Sequence, residues 1–133
     1  MADVLYDTGR NAFLTGDIDW VNDDIRAILV DTADYTVNAA TDEFLDDVPA
    51  GAREEISALT GKTAVDGVAD ADDVAFSATS GDDCEAIVLY KHTGSDATSQ
   101  LIAYIDQAAG LPVTLGGDVT VRWDDGANKI FKL

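Results

Sequence analysis

The chain has 133 residues, with eight Lys and Arg against twenty-six Asp and Glu, for a formal net charge of −18. Hydrophobic residues make up 47% of it, enough for a core, so the charge does not imply disorder. So acidic a surface argues against nucleic-acid binding, which Lys and Arg build by displacing counterions.

Length suits a single domain over residues 1–133. The longest apolar runs, Ala86 to Tyr90 and Leu101 to Ile105, fall far short of the ~20 residues that cross a bilayer, so no membrane contact is expected. The N-terminus does not resemble a signal peptide. One cysteine excludes an intrachain disulfide. Twenty-two of the acids are Asp and only four are Glu. Asp competes for backbone hydrogen bonds and favours caps and turns. With eleven Gly, the composition predicts short ordered pieces joined by tight turns.

In chain order, Asp3 to Leu14 reads as a short helix, capped by Asp3 and ended by Gly16. Asp24 to Asp31 is a strand apolar on both faces near its middle. Thr41 to Asp46 reads as one helical turn capped by Thr41, with Pro49 shortly after. Arg53 to Leu59 and Lys62 to Val65 are strand candidates around a Gly61 turn. Val74, Phe76 and Ala78 alternate with Ala75, Ser77 and Thr79, and Ser80 to Asp83 makes a turn. Cys84 to Lys91 and Gln100 to Asp106 read as a hairpin across the Gly94 to Thr98 loop. Val119, Val121 and Trp123 alternate with Thr120, Arg122 and Asp124, and Lys129 to Leu133 is expected to pair back after the Asp125-Gly126 turn. The fold class is mainly β: a single β-sandwich or flattened barrel with a short N-terminal helix.

Catalytic chemistry is poorly marked. Cys84 and His92 on one straight strand stand ~26 Å apart, against the ~3 Å that a nucleophile and its base require. Cys84 alternates with Ala86 and Val88 and is expected to be a buried thiol. A zinc site would have to borrow carboxylates. Asp70-Ala71-Asp72-Asp73 resembles the start of a calcium loop, but neither the Gly at the sixth position nor the Glu at the twelfth follows. Asp17-Ile18-Asp19 and Asp82-Asp83-Cys84-Glu85 are acidic without ligand spacing, and no carboxylate pair is singled out for glycoside hydrolysis. Gly116-Gly117 reads as a turn, not a phosphate cradle. No metal, cofactor or catalytic residue is assigned. Trp20 and Trp123 with Tyr6, Tyr35, Tyr90 and Tyr104 are the candidates for a sugar-stacking platform. Trp123 alternates with Val119 and Val121 and is expected in the core. Trp20 fits either a packing anchor or an interface residue.

The order of segments is familiar. A short helix leads through Thr15-Gly16-Asp17-Ile18-Asp19-Trp20 to a strand ending Ala27-Ile28-Leu29-Val30-Asp31-Thr32. Asp34-Tyr35-Thr36, Phe44-Leu45-Asp46-Asp47-Val48-Pro49 and Gly51-Ala52-Arg53 follow. The second half carries Ala86-Ile87-Val88-Leu89-Tyr90-Lys91, Leu101-Ile102-Ala103-Tyr104-Ile105-Asp106 and Gly117-Asp118-Val119-Thr120-Val121-Arg122-Trp123. This resembles a family of small proteins encoded among the virion structural genes of tailed phages and related viruses. The resemblance implies a non-enzymatic virion component, foremost a capsid decoration (cement) protein on the outer head surface that binds the major capsid protein or another virion protein. Alternatives are a tail, neck or fibre-associated component and a host-surface or carbohydrate-binding β-module.

The strands Ile25 to Val30 and Ile87 to Leu89 are apolar on both faces, and the helix can cover only part of that area. Neighbouring copies are therefore expected to cover the rest, as a homo-oligomer with a trimer favoured, since three-fold positions are common seats in proteins resembling this family. Tyr6, Arg10, Phe13 and Trp20 are the expected intersubunit or capsid contacts, with Arg10 neutralising a neighbour's carboxylate.

Overall fold

The computed structural model describes residues 3–133. The longest apolar runs become the middle of an antiparallel sheet. Strands β1 (Val4–Leu5), β2 (Ile25–Val30), β3 (Arg53–Ala58), β7 (Ala86–Lys91) and β8 (Leu101–Ile105) lie in the order β1-β8-β7-β2-β3. The expected hairpin is present as β7 and β8, with Val88 opposite Tyr104 and Leu89 opposite Ala103. Between Leu89 and Tyr90 the register slips at a β-bulge. On the other side β7 pairs with β2, setting Ala27 opposite Leu89 and Ile28 opposite Val88.

Strand alternation then sorts this apolar set into two cores. Ile25, Ala27, Leu29, Ile87 and Leu89 point to one face, and Ile28, Val30, Ala86, Val88 and Tyr90 to the other. The first face is covered by a second layer of strands. In it β6 (Val74–Thr79) pairs with β9 (Gly117–Val121), while β4 (Thr63–Val65), β5 (Val68–Asp70) and β10 (Phe131–Lys132) form a three-stranded sheet in the order β10-β5-β4. Val74, Phe76, Val119, Val121, Trp20 and Trp123 fill the space between the layers. The result is a mainly β, sandwich-like fold with one short helix, as the composition and spacing anticipated.

The second face is covered by an irregular segment over residues 31–52. It contributes Tyr35, Leu45, Val48 and Ala52 through two 3-10 turns, Leu45–Asp47 and Ala50–Ala52. The Arg53 guanidinium holds this segment down. It donates to the carbonyls of Val48 and Leu45, each at 2.8 Å, and to Asp96 Oδ2 at 2.8 Å. Both faces of the central sheet are thus covered by the chain's own residues. Burial of those strands does not require neighbouring copies, which corrects the reasoning that called for them.

Four local expectations are also corrected. The helix does not begin at Asp3: Val4 and Leu5 pair with Tyr104 and Ala103, and α1 spans Asp7–Leu14. Asp3 does not cap it; its Oδ1 accepts the N–H groups of Asp106 and Gln107 at 2.9 and 3.0 Å. Thr41 does not cap a helical turn: Asp47 Oδ2 accepts the N–H groups of Glu43 and Phe44 at 2.7 and 3.2 Å, placing the turn at Leu45. Ala78 is exposed at φ +52°, where the β6–β9 register slips, and Thr79 is buried in its place. Finally, the C-terminal strand pairs with β5 (Phe131 opposite Ala69) and not with the Val119 to Trp123 strand. The Phe131 ring explains this, lying 5.2 Å from Trp20 and 5.8 Å from Phe13 between centroids.

Candidate ligand-binding cleft

At one end of the sandwich, β1, the end of β8, Arg122-Trp123 and the 124–132 segment enclose a cleft of about 760 Å³. That lies within the usual range of small-molecule pockets. Leu5, Ala108, Trp123 and Ile130 give it an apolar lining. Trp123 is fixed from behind: its indole N–H donates to the Asp72 carbonyl at 3.0 Å, and its backbone N–H to Asp73 Oδ1 at 3.1 Å.

The charge around this cleft differs from the rest of the surface. Arg10, Arg122, Lys129 and Lys132 line it, half of the protein's eight cations. Facing them are Asp3, Asp124 and Asp125. A molecule at −18 therefore carries one concavity in which positive side chains outnumber negative ones. Of the four cations outside the cleft, Arg26, Arg53 and Lys91 pair with Asp24, Asp96 and Asp23 at 3.0, 2.8 and 3.2 Å, while Lys62 donates to the Asp23 carbonyl and, among the described residues, makes no ion pair. Among the described residues Arg10, Arg122 and Lys132 make no ion pair, although Asp is the most abundant charged residue of the chain. Lys129 reaches only the Asp125 carbonyl, at 3.4 Å. Asp3 is exposed, but partial desolvation pushes its carboxyl above the ordinary value, offset in part by the two N–H groups it accepts.

The residues expected at an interface divide between surface and core. Arg10 is exposed and lies in the cleft wall, and Phe13 is half-buried against Phe131. Tyr6 is fully buried and Trp20 is 5% exposed, so neither can face a partner. Trp20 donates its indole N–H to the Asp70 carbonyl at 3.1 Å and acts as a packing anchor. Tyr6 enters a buried relay in which Tyr35 donates to Asp42 Oδ2 at 2.7 Å. The 2.8 Å contact between the two hydroxyls must then run from Tyr6 to Tyr35, whose single proton is already committed. Burial raises both phenols above their ordinary range. Tyr90, Tyr104 and Trp123 are buried as well, so the aromatic set offers no sugar-stacking platform.

Cys84 and His92 flank opposite ends of β7 and are not brought together. The thiol is buried, as expected, and burial with nearby Glu54 and Glu85 pushes it up to about 12. The His92 ring packs edge-on against Tyr90, 6.1 Å between centroids. The acidic loops hold backbone in place. Asp19 accepts from the backbone N–H and side-chain amide of Asn22, and Asp31 Oδ1 from Ala33 N–H at 2.9 Å. Asp31, Asp34 and Asp82 approach within 4.8 Å of one another, a cluster that no sequence spacing announced.

Fold and cleft together define an acidic, sandwich-like β-domain with a cation-rimmed, apolar-lined concavity at one end. Compared with known proteins, the chain matches no family model and no curated protein.

Proposed function

We propose that this chain is a non-enzymatic structural component of a tailed-virus particle, a capsid decoration protein seated on the outer head surface by its cleft-bearing end. The observation that supports this reading is the one-sided placement of charge. With half of the cations around one cleft and acidic residues spread over the rest, the molecule has one end suited to docking and a surface that repels other anions. The outer position follows from the acidity, because −18 per copy is unfavourable beside packaged DNA. The partner is the major capsid protein or another virion protein. On α1, Leu14 is 85% exposed one turn beyond Arg10, which adds an apolar contact to the same helix face.

A trimer at three-fold positions is the assembly we propose, formed on the particle through surface contacts and not through completion of the core. Co-sedimentation with purified capsid shells in ~1 M salt, where the Debye length is ~3 Å, tests the reading. Binding that saturates at hundreds of copies per shell supports it. No binding to shells in that salt removes it, and binding to tails alone transfers the protein to the tail, neck or fibre assembly.

A further inference from the structure

The geometry points to the cleft as the docking groove for an extended acidic peptide segment of a partner chain, carrying apolar side chains at alternate positions. The inference rests on docking by the cleft-bearing end, and it names the chemistry that end recognises.

Two independent features carry it. The first is the set of cations. Arg10, Arg122 and Lys132 hold their charge free of carboxylate partners, in a protein with three acids for every base. Carboxylates supplied by a ligand would complete pairs that the chain itself leaves open, and a guanidinium can donate two parallel N–H bonds to one carboxylate.

The second is the backbone. The cleft is lined by β1 and β10, and each is the terminal strand of its sheet. Tyr6 N–H donates to the Ile102 carbonyl, so alternation turns the peptide groups of Leu5 away from β8. Leu133 N–H donates to the Gly67 carbonyl, so those of Lys132 turn away from β5 in the same manner. No neighbouring strand of either sheet takes these groups up. An extended chain can bond to such an edge through its backbone, with alternate side chains divided between two environments. Here the apolar ones would meet Leu5, Ala108 and Ile130, and the acidic ones the cationic rim. A small amphipathic anion would use the rim and the floor but leave the strand edges unused, which is why the peptide is favoured.

The test uses the whole chain and a fluorescein-labelled peptide of alternating Asp and Val, about six residues long, an ordinary strand length. Anisotropy is read in ~1 M salt, where the long-range repulsion of the protein's net charge is screened but contact pairs survive in part. Saturable binding is expected, with none by the matching Lys–Val peptide. Arg122→Gln and Thr63→Glu give the same net charge, but only Arg122 lies in the cleft. Both side chains are exposed, and thermal melts verify that each variant folds. Arg122→Gln should weaken binding several-fold, and the double variant Arg122→Glu/Lys132→Glu at least tenfold, while Thr63→Glu leaves it unchanged. The inference is overturned if the acidic peptide does not bind, or if the two isoelectric variants weaken it equally. It is also overturned if dodecanoate competes at the concentration of the peptide, since the site is then one for small amphiphiles. Shell binding measured on the same variants separates the two readings. Intact shell binding by the double variant, with peptide binding lost, sinks the groove and leaves the particle assignment standing.

Discussion

Gly9 sits inside α1, where glycine ordinarily costs about 1 kcal/mol relative to alanine. On propensity alone Gly9→Ala should stabilise the protein. The packing of α1 on β8 gives the opposite sign. A Cβ built at Gly9 meets the Leu101 carbonyl oxygen at 2.5 Å, with Ile102 Cα and O at 3.1 and 3.2 Å. These are backbone atoms of a strand in the central sheet, and no side chain can swing aside to make room. Nor can α1 lift freely, because Tyr6 at its start is tied to the Ile102 carbonyl at 3.0 Å. Overpacking of this kind costs about 1–3 kcal/mol, and a backbone obstruction belongs in the upper half of that range. Net of propensity, Gly9→Ala should destabilise by about 1–2 kcal/mol, a fall in Tm of roughly 5 °C for a chain of this size. Asn11→Ala, two residues on and exposed, supplies the control: it gains helix propensity without a clash and should raise Tm slightly. Circular dichroism melts of the three proteins in molar salt decide the matter. A Gly9→Ala midpoint at or above that of Asn11→Ala would mean that α1 is not seated on β8 as described, and the placement of Arg10 in the cleft wall would fall with it.

The buried tyrosine relay predicts an order of effects. Tyr35→Phe strands the Tyr6 hydroxyl and removes a donor from Asp42, costing about 1–3 kcal/mol; Tyr6→Phe leaves the Tyr35–Asp42 bond intact and should cost about 1 kcal/mol. Urea titrations giving the reverse order would contradict donation from Tyr6 to Tyr35. Because partial desolvation raises the carboxyl of the exposed Asp3, the folded state keeps that proton at a pH where the unfolded chain has lost it, so a small part of the stability is lost as pH rises through the window above its ordinary value of 3.8. Asp3→Asn preserves the acceptor for Asp106 and Gln107 and should raise Tm slightly at pH 7, with the gain fading below pH 3.8; a lower midpoint than the parent's at pH 7 refutes the desolvation argument. Raising salt from 0.1 to 1 M shortens the Debye length from ~10 to ~3 Å and should raise the melting midpoint markedly, and a midpoint that does not move shows that repulsion among the carboxylates is not what limits stability.

The parts of the fold that could be read from sequence are those where one run of residues states its own environment. Ile25 to Val30, Ala86 to Lys91 and Leu101 to Ile105 are apolar on both sides because they are buried on both sides. Elements of two or three residues carry no such signal. Val4–Leu5 is a strand only because β8, about a hundred residues away, presents an edge to it. The β4–β5 hairpin did leave a trace: Asp66 and Gly67 both have positive φ, +53° and +79°, and Asp-Gly is the dipeptide such two-residue hairpin turns select. Trp20 was ambiguous because its neighbours Asp19 and Val21 are exposed, while its own ring turns inward to Phe131. The cleft was not legible at all. Arg10 and Arg122 lie near opposite ends of the chain, and only the pairing of β1 with β8 and the bridge between Ala109 and Arg122 bring them to one concavity.

Fold stability is nearly indifferent to whether the cations around the cleft are paired. Exposed ion pairs contribute little, about 0–1 kcal/mol each, so pairing Arg10, Arg122 and Lys132 with nearby Asp residues would gain almost nothing in fold stability. Leaving them open therefore costs the fold almost nothing either. For recognition the consequence is larger. A cation already paired must break that pair before it meets a ligand carboxylate, whereas an open one gains the new contact outright. The surrounding acidity sharpens this. It weakens every anion's approach within about a Debye length of the surface, so only a ligand whose carboxylates reach the rim directly, and whose apolar groups reach the apolar lining, recovers the loss. On that argument the excess of Asp and the four gathered cations form a single device: the first rejects anions in general, and the second admits one shape of anion at one end of the molecule.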